Sequence, residues 1–295
     1  MKTSVSMYSF STLTRTGKMT YIEGIHKAKE LGFQAVDIAG LRPLKDGGAS
    51  MTEDTAKEIR GVCANIGLEI ASYTIGGDLV NGYAGGSARD EVARLKKEVD
   101  IAAVLGAPSM RHDATWGFKD KAQRGWRGFD NVLPQLVEGI RAITEYAAGV
   151  GVRTTVENHG LFAQDSYRME KLINSVAHDN FGLICDIGNF LCVDENPITA
   201  VSRVAPYAFF VHAKDFHVKS GSGPHPGKGF FETRGGNYLR GAIIGHGDVP
   251  VQQCLHILKN AGYNGYVSIE FEGMEDPILG VSVGLENLRN YIAAL

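Results

Sequence analysis

Residues 29–38 read KELGFQAVDI, residues 64–73 read ANIGLEIASY, residues 103–111 read AVLGAPSMR and residues 259–270 read KNAGYNGYVSIE. Each phrase has the same grammar: the end of a helical pattern, a glycine, a short loop, then a short run rich in apolar residues. Glycine just past the last helical position is a common helix terminator. The run after it has the length of a strand rather than a helix. Working outward, apolar Ile22, Ile25, Ala28 and Leu31 at helical spacing predict a helix over about 20–31. The same reading predicts helices over 52–66, 88–105, 132–148, 167–177, 198–204, 251–261 and 278–294. Strands are predicted over 3–9, 35–38, 69–73, 109–111, 153–157, 182–186, 208–212 and 266–270. Strand and helix therefore alternate eight times. A strand-helix repeat implies parallel strands, because each parallel connection needs a crossover. An open doubly wound sheet also alternates, but eight units in 295 residues fit a closed (β/α)8 TIM barrel better. The chain reads as one domain over 1–295, broken in rhythm only at about 216–249. That glycine-rich segment has no helical pattern and leaves the C-terminal end of a strand, which is the active-site face of such a barrel. A lid or substrate wall is expected there.

Composition narrows the function. Hydrophobic residues make up 44% and charged residues 21%, a globular balance. With 30 Lys+Arg against 33 Asp+Glu there is no broad basic face, so no nucleic-acid partner is expected. The four cysteines, Cys63, Cys185, Cys192 and Cys254, form no CxxC pair and read as reduced thiols. The opening MKTSVSMYSFSTL lacks a signal-peptide apolar run, and no stretch is long and apolar enough for a membrane span. A cytoplasmic location is expected.

Four polar groups end four successive strands. Thr154-Thr155-Val156 runs into Glu157, Leu183-Ile184-Cys185 into Asp186, Phe209-Phe210-Val211 into His212, and Val267-Ser268-Ile269 into Glu270. A barrel gathers its strand ends around one axis, so these groups converge. Three carboxylates in one pocket cannot all stay ionised cheaply, and a divalent cation removes the conflict. Oxygen-rich ligation with one imidazole suits Mn best, with Mg, Co, Zn and Fe as alternatives. Taken singly, a strand-end acid is more often a rim residue or a helix cap. The joint pattern carries the expectation.

The segments VENHG (156–160), CDIGNF (185–190), FVHAKDFH (210–217) and SIEFEG (268–273) resemble the xylose-isomerase-like superfamily of sugar isomerases and epimerases. The resemblance implies Glu157, Asp186, His212 and Glu270 as ligands of one divalent ion. It also implies Glu157 and Glu270 as proton carriers on opposite faces of a ketose. Two departures bear on that role. Asn189 stands where ketose epimerases often carry a histidine, and Lys214, Asp215 and His217 occupy the stretch that usually supplies a substrate-binding arginine. His159, two residues past Glu157, is a second candidate for the general base. Together with DIGNFLCVDENP (186–197) and RGGNYLRGAIIGHGD (234–248), it makes the chain similar to the larger subunit of bacterial C-glycoside deglycosidases. Those eliminate the aglycone from a 3-keto-glycoside.

Arg111 ends the fourth strand and His112 and Asp113 follow it, Tyr73 ends the third, and Lys214 lies two past His212. Arg111, His112, Tyr73 and Lys214 are expected to contact substrate. Trp116 and Trp126 could stack on a sugar or simply pack. His246 and Asp248 close the insertion and are weaker candidates. The GxSxG match at Gly280–Gly284 falls inside a predicted helix, which argues against a serine hydrolase. The leading reading is a metal-dependent sugar isomerase or epimerase acting by proton abstraction beside a carbonyl. The second is lyase action on a 3-keto-glycoside, with a small partner subunit; a homo-oligomer is the other expected assembly. An abasic-site endonuclease needs a basic groove, against the charge balance.

Overall fold

The computed structural model describes residues 1–39, 51–83, 86–119 and 127–295; Trp126 lies outside them. Eight parallel strands close into a barrel: β1 (Lys2–Ser6), β2 (Ala35–Ile38), β3 (Glu69–Thr74), β4 (Ser109–Arg111), β5 (Arg153–Glu157), β6 (Phe181–Asp186), β7 (Ala208–Ala213) and β11 (Tyr266–Ile269). Around the ring the order is β1-β11-β7-β6-β5-β4-β3-β2. Helices follow the strands: α1 (Ser11–Arg15) and α2 (Tyr21–Glu30), α3 (Glu53–Ile66), α4 (Ala88–Leu105), α5 (Phe129–Gly149), α6 (Ser166–Val176), α7 (Pro197–Val204), α8 (Val251–Asn260) and α9 (Pro277–Ala293). The glycine junctions are helix ends as expected: Gly67 and Gly106 close α3 and α4 with φ of 63° and 79°, which a side chain would resist. Thr20 with Glu23 and Ser87 with Asp90 form capping boxes that start α2 and α4. The GxSxG match lies within α9, and all four cysteines are buried and free. Among the described residues no helix is long and apolar enough to cross a membrane.

Two local departures shape the site. The first strand ends at Ser6 rather than at residue 9, and Met7–Phe10 turns as a 3-10 helix that brings Tyr8 to the surface. In the β2–β3 ladder, Val36 pairs Ile70 but Asp37 pairs Ser72, so Ala71 is an extra residue. Such a bulge reverses the facing of the residues after it. Thr74 turns inward to donate to Asp37, and Tyr73 turns outward to donate to Glu98 on α4.

The insertion is not a structureless loop. It holds a three-stranded sheet ordered β8-β10-β9, made by β8 (Asp215–Lys219), β9 (Phe231–Glu232) and β10 (Tyr238–Ala242). Phe216 and Leu239 pack with Cys192 beneath it. Two acids pin it. Asp194 accepts hydrogen bonds from Thr233, Gly235 and Asn237. Asp215 accepts the backbone N–H of Phe216, Gly245, Gly247 and Val249 at 2.8–3.0 Å. Truncating Asp215 strands several donors at once. Asp215→Ala is therefore expected to cost about 3 kcal/mol in urea unfolding, and a loss under about 0.5 kcal/mol would show that the cradle contributes nothing.

Candidate active site and metal centre

The four strand-end groups meet as expected. Glu157, Asp186, His212 and Glu270 are buried, and one ligand atom from each lies within 4.8 Å of all the others. Asp186 pairs in register with His212 on the neighbouring strand, and the Glu270 N–H donates to the carbonyl of Ala213. Asn158, the residue after β5, locks Asp186, donating to its carbonyl at 2.8 Å and accepting its N–H at 2.9 Å. Asp186 Oδ1 accepts from Gly188 N and Asn189 N, while its fully buried Oδ2 accepts no hydrogen bond among the described residues. A buried carboxylate oxygen that accepts no hydrogen bond, clustered with two more carboxylates and an imidazole, is a donor set that fits a divalent cation.

Two side-chain cations border this set. Arg111 reaches Glu157 at 2.6 Å and Asp113 at 2.7 Å. Lys214 Nζ lies 2.6 Å from Glu270, 3.4 Å from Asp186 and 3.6 Å from Glu272. These neighbours set the proton affinities. Burial pushes Glu157 up, but Arg111 and His212 outweigh it and hold the carboxyl well below the usual range. Burial works the same way on Glu270, where Lys214 and His212 bring the net shift down. For Asp186 burial wins, raising it to about 6. His212 would be lowered by burial, but Glu270 and Glu157 drive it well above the ordinary imidazole value.

His159 stands on the same rim with its side chain one-third exposed (34%). Its Nδ1 is 2.9 Å from Asp113 Oδ1 and 3.2 Å from an Arg111 nitrogen. One nitrogen cannot donate to the first and accept from the second. Since Arg111 carries its own acids, Nδ1–H donates to Asp113. Trp116 packs edge-on against the ring at 4.9 Å and is otherwise half exposed.

Of the groups expected to contact substrate, Arg111 and Lys214 reach the cluster; Tyr73 and His112 do not. Tyr73 is turned out by the Ala71 bulge to Glu98. His112 is fully buried one residue past inward-facing Arg111, so alternation points it away from the axis; its Nδ1 meets the Asp113 carbonyl. Asp248 accepts the Val218 N–H within the insertion, and His246 is exposed. The sequence reading missed Asp37. Its Oδ2 lies 3.1 Å from His212 Nε2, and its Oδ1 accepts from Thr74 at 2.8 Å. An acid inside the apolar strand AVDI was the available signal. Asn189, which replaces the expected histidine, donates to Glu157 at 3.2 Å and accepts from Lys214 at 3.3 Å. Ser6, at the end of β1, has a buried hydroxyl without a partner among the described residues.

A family model described as a xylose isomerase-like TIM barrel matches residues 25–291. Inosose dehydratase of Lacticaseibacillus casei is 22% identical over 149 residues, which is 50% of this chain and 49% of that protein. The chain spans about half the length of the curated relatives it matches. Among solved structures, the IOLI protein with a zinc atom gives a TM-score of 0.75 at 14% identity over 100% of this chain and 99% of that one. The 3-keto-D-glucoside 4-epimerase of E. coli gives 0.67 at 16% identity, over 91% and 94%. At these identities the structural likeness speaks for the fold alone.

Proposed function

The chain belongs to the xylose isomerase-like TIM barrel family, and on that premise we propose that it is a divalent-metal-dependent enzyme removing the proton beside a carbonyl of a carbohydrate, with isomerisation or epimerisation as the outcome. The observation that carries this is the buried Glu157–Asp186–His212–Glu270 set, whose Asp186 Oδ2 accepts no hydrogen bond among the described residues and meets only the Lys214 ammonium at 3.4 Å, on the same rim as an imidazole held by a carboxylate. When bound, a divalent ion, Mn by its oxygen-rich ligands, would polarise the carbonyl and offset the charge that develops on its oxygen. Glu157, Asp186, His212 and Glu270 hold it. His159 takes the proton through Nε2, because Asp113 engages Nδ1–H and fixes the tautomer. Arg111 ties this pair to the ligand set, since it bonds both Asp113 and Glu157. Lys214 donates toward a substrate oxygen. Trp116 and Tyr8 offer aromatic surface for a sugar ring.

One observation favours a second outcome, elimination from a 3-keto-glycoside. Epimerisation by opposed carboxylates needs Glu157 and Glu270 to exchange protons. Both are ion-paired, Glu157 with Arg111 at 2.6 Å and Glu270 with Lys214 at 2.6 Å, so neither carboxylate is free to take a proton while its pair holds. A single imidazole base suffices for elimination. The relative named inosose dehydratase is in keeping with that chemistry.

Both outcomes begin with the same proton transfer. Keto-sugars and keto-glycosides incubated in D2O with the Mn-loaded protein should, at partial conversion, carry deuterium at one carbon beside the carbonyl. A rearranged product without solvent deuterium would point to an internal hydride shift. Bond hydrolysis with no exchange at any carbon would overturn the reading.

A further inference from the structure

The imidazole of His212 has two nitrogens, and only one can serve an ion held by Glu157, Asp186 and Glu270. Nδ1 faces Glu157 Oε1 at 3.4 Å and Glu270 Oε2 at 3.8 Å. Nε2 points the other way and meets Asp37 Oδ2 at 3.1 Å. Asp37 comes from β2, which is separated from β7 in the ring by β1 and β11. The contact therefore crosses the barrel interior, and both residues are fully buried. Both Asp37 oxygens are committed, Oδ2 to His212 and Oδ1 to the Thr74 hydroxyl. The Ala71 bulge is what delivers that hydroxyl inward.

We propose that Asp37 is a positioning residue for the metal centre, which sets the tautomer and ring orientation of His212 so that Nδ1 is presented to the ion. A buried imidazole that donates N–H to a carboxylate is fixed in rotation and made a stronger ligand through its other nitrogen. Thr74 completes the arrangement by holding Asp37. Without Asp37, His212 Nε2–H loses the acceptor that lies outside the ligand set, and the ring is free to turn that nitrogen toward Glu157 and Glu270.

This rests on the metal reading proposed above, and the test separates the two. Metal-free full-length protein is titrated with Co2+, followed by calorimetry and by the visible spectrum of the bound ion. Asp37→Ala should weaken Co2+ binding by about 10–100-fold and alter the ligand-field bands. Asp37→Asn keeps an acceptor for Nε2–H but not the charge, so it should fall between the wild type and Ala and keep the wild-type band shape. Thermal unfolding of the metal-free variants reports any merely structural cost, and Asn, which preserves shape, carries the test where Ala does not fold. Variants that match wild type in affinity and spectrum would overturn the role of Asp37 while leaving the metal centre standing. A wild-type protein that takes up no Co2+ would overturn the metal reading, and the role of Asp37 with it.

Discussion

Asp186→Ala is expected to abolish both metal binding and turnover while the barrel stays folded. Asp186 is fully buried, and its two oxygens divide their work. Oδ1 terminates β6 by accepting Gly188 N and Asn189 N, whereas Oδ2 accepts no hydrogen bond among the described residues and has the Lys214 ammonium 3.4 Å away. Alanine removes both. The lost backbone acceptor costs about 1–3 kcal/mol, a fraction of the stability of a domain this size. Asp186→Asn is the companion variant: it keeps an acceptor for the turn, loses the charge, and should also fail to bind. The cluster also fixes the sign of the pH dependence. Burial raises Asp186 to about 6, and the neighbouring carboxylates raise His212 well above its ordinary value. Both protons compete with a cation, so affinity should climb as pH rises from about 5.5 to about 8. Mn2+ calorimetry across that interval checks the direction. Full metal occupancy in Asp186→Ala would show that the ligand set is wrong.

The barrel was legible because its signals are local. Gly67 and Gly106 mark helix ends within a few residues of the strands they precede, and the proposed ligands stand as ionisable residues at the ends of four short strand-like runs. The hidden features depend on partners far away in the chain. Tyr73 read as a strand-end aromatic facing the pocket, but one extra residue at Ala71 turned it toward α4; a bulge leaves no mark in a period-two pattern. His112 failed for a related reason, since Arg111 takes the inward position beside it. Asp37 reaches His212, a proposed ligand 175 residues away, across the barrel, a pairing set by closure of the sheet. The segment over 216–249 is glycine-rich and lacks long apolar runs, so its sheet could not be read as strands. It is ordered by acids outside or at the edge of that stretch, Asp194 and Asp215.

His159→Ala is expected to lower turnover by about 10²–10⁴-fold with metal affinity within a few-fold of wild type. The separation comes from geometry: His159 is outside the four-donor set, and its hydrogen bond to an acid goes to Asp113. That bond makes a finer prediction. Burial lowers the basicity of His159, but the Asp113 carboxylate outweighs it, and the net shift is upward from 6.5. A base must be neutral to act, so the acid limb of the pH–rate profile should rise through the raised imidazole value. Asp113→Asn removes the group that raises it. The acid limb should then move to lower pH even as turnover falls, because the ring loses the anion that fixes its tautomer and stabilises its protonated form. A damaged fold would lower the rate without that displacement. Arg111 would also lose an acid partner in Asp113→Asn, but it retains Glu157 at 2.6 Å, so the ligand set should keep its metal. Unchanged turnover in His159→Ala would return the proton transfer to Glu157 or Glu270, whose ion pairs with Arg111 and Lys214 would then have to break when substrate binds.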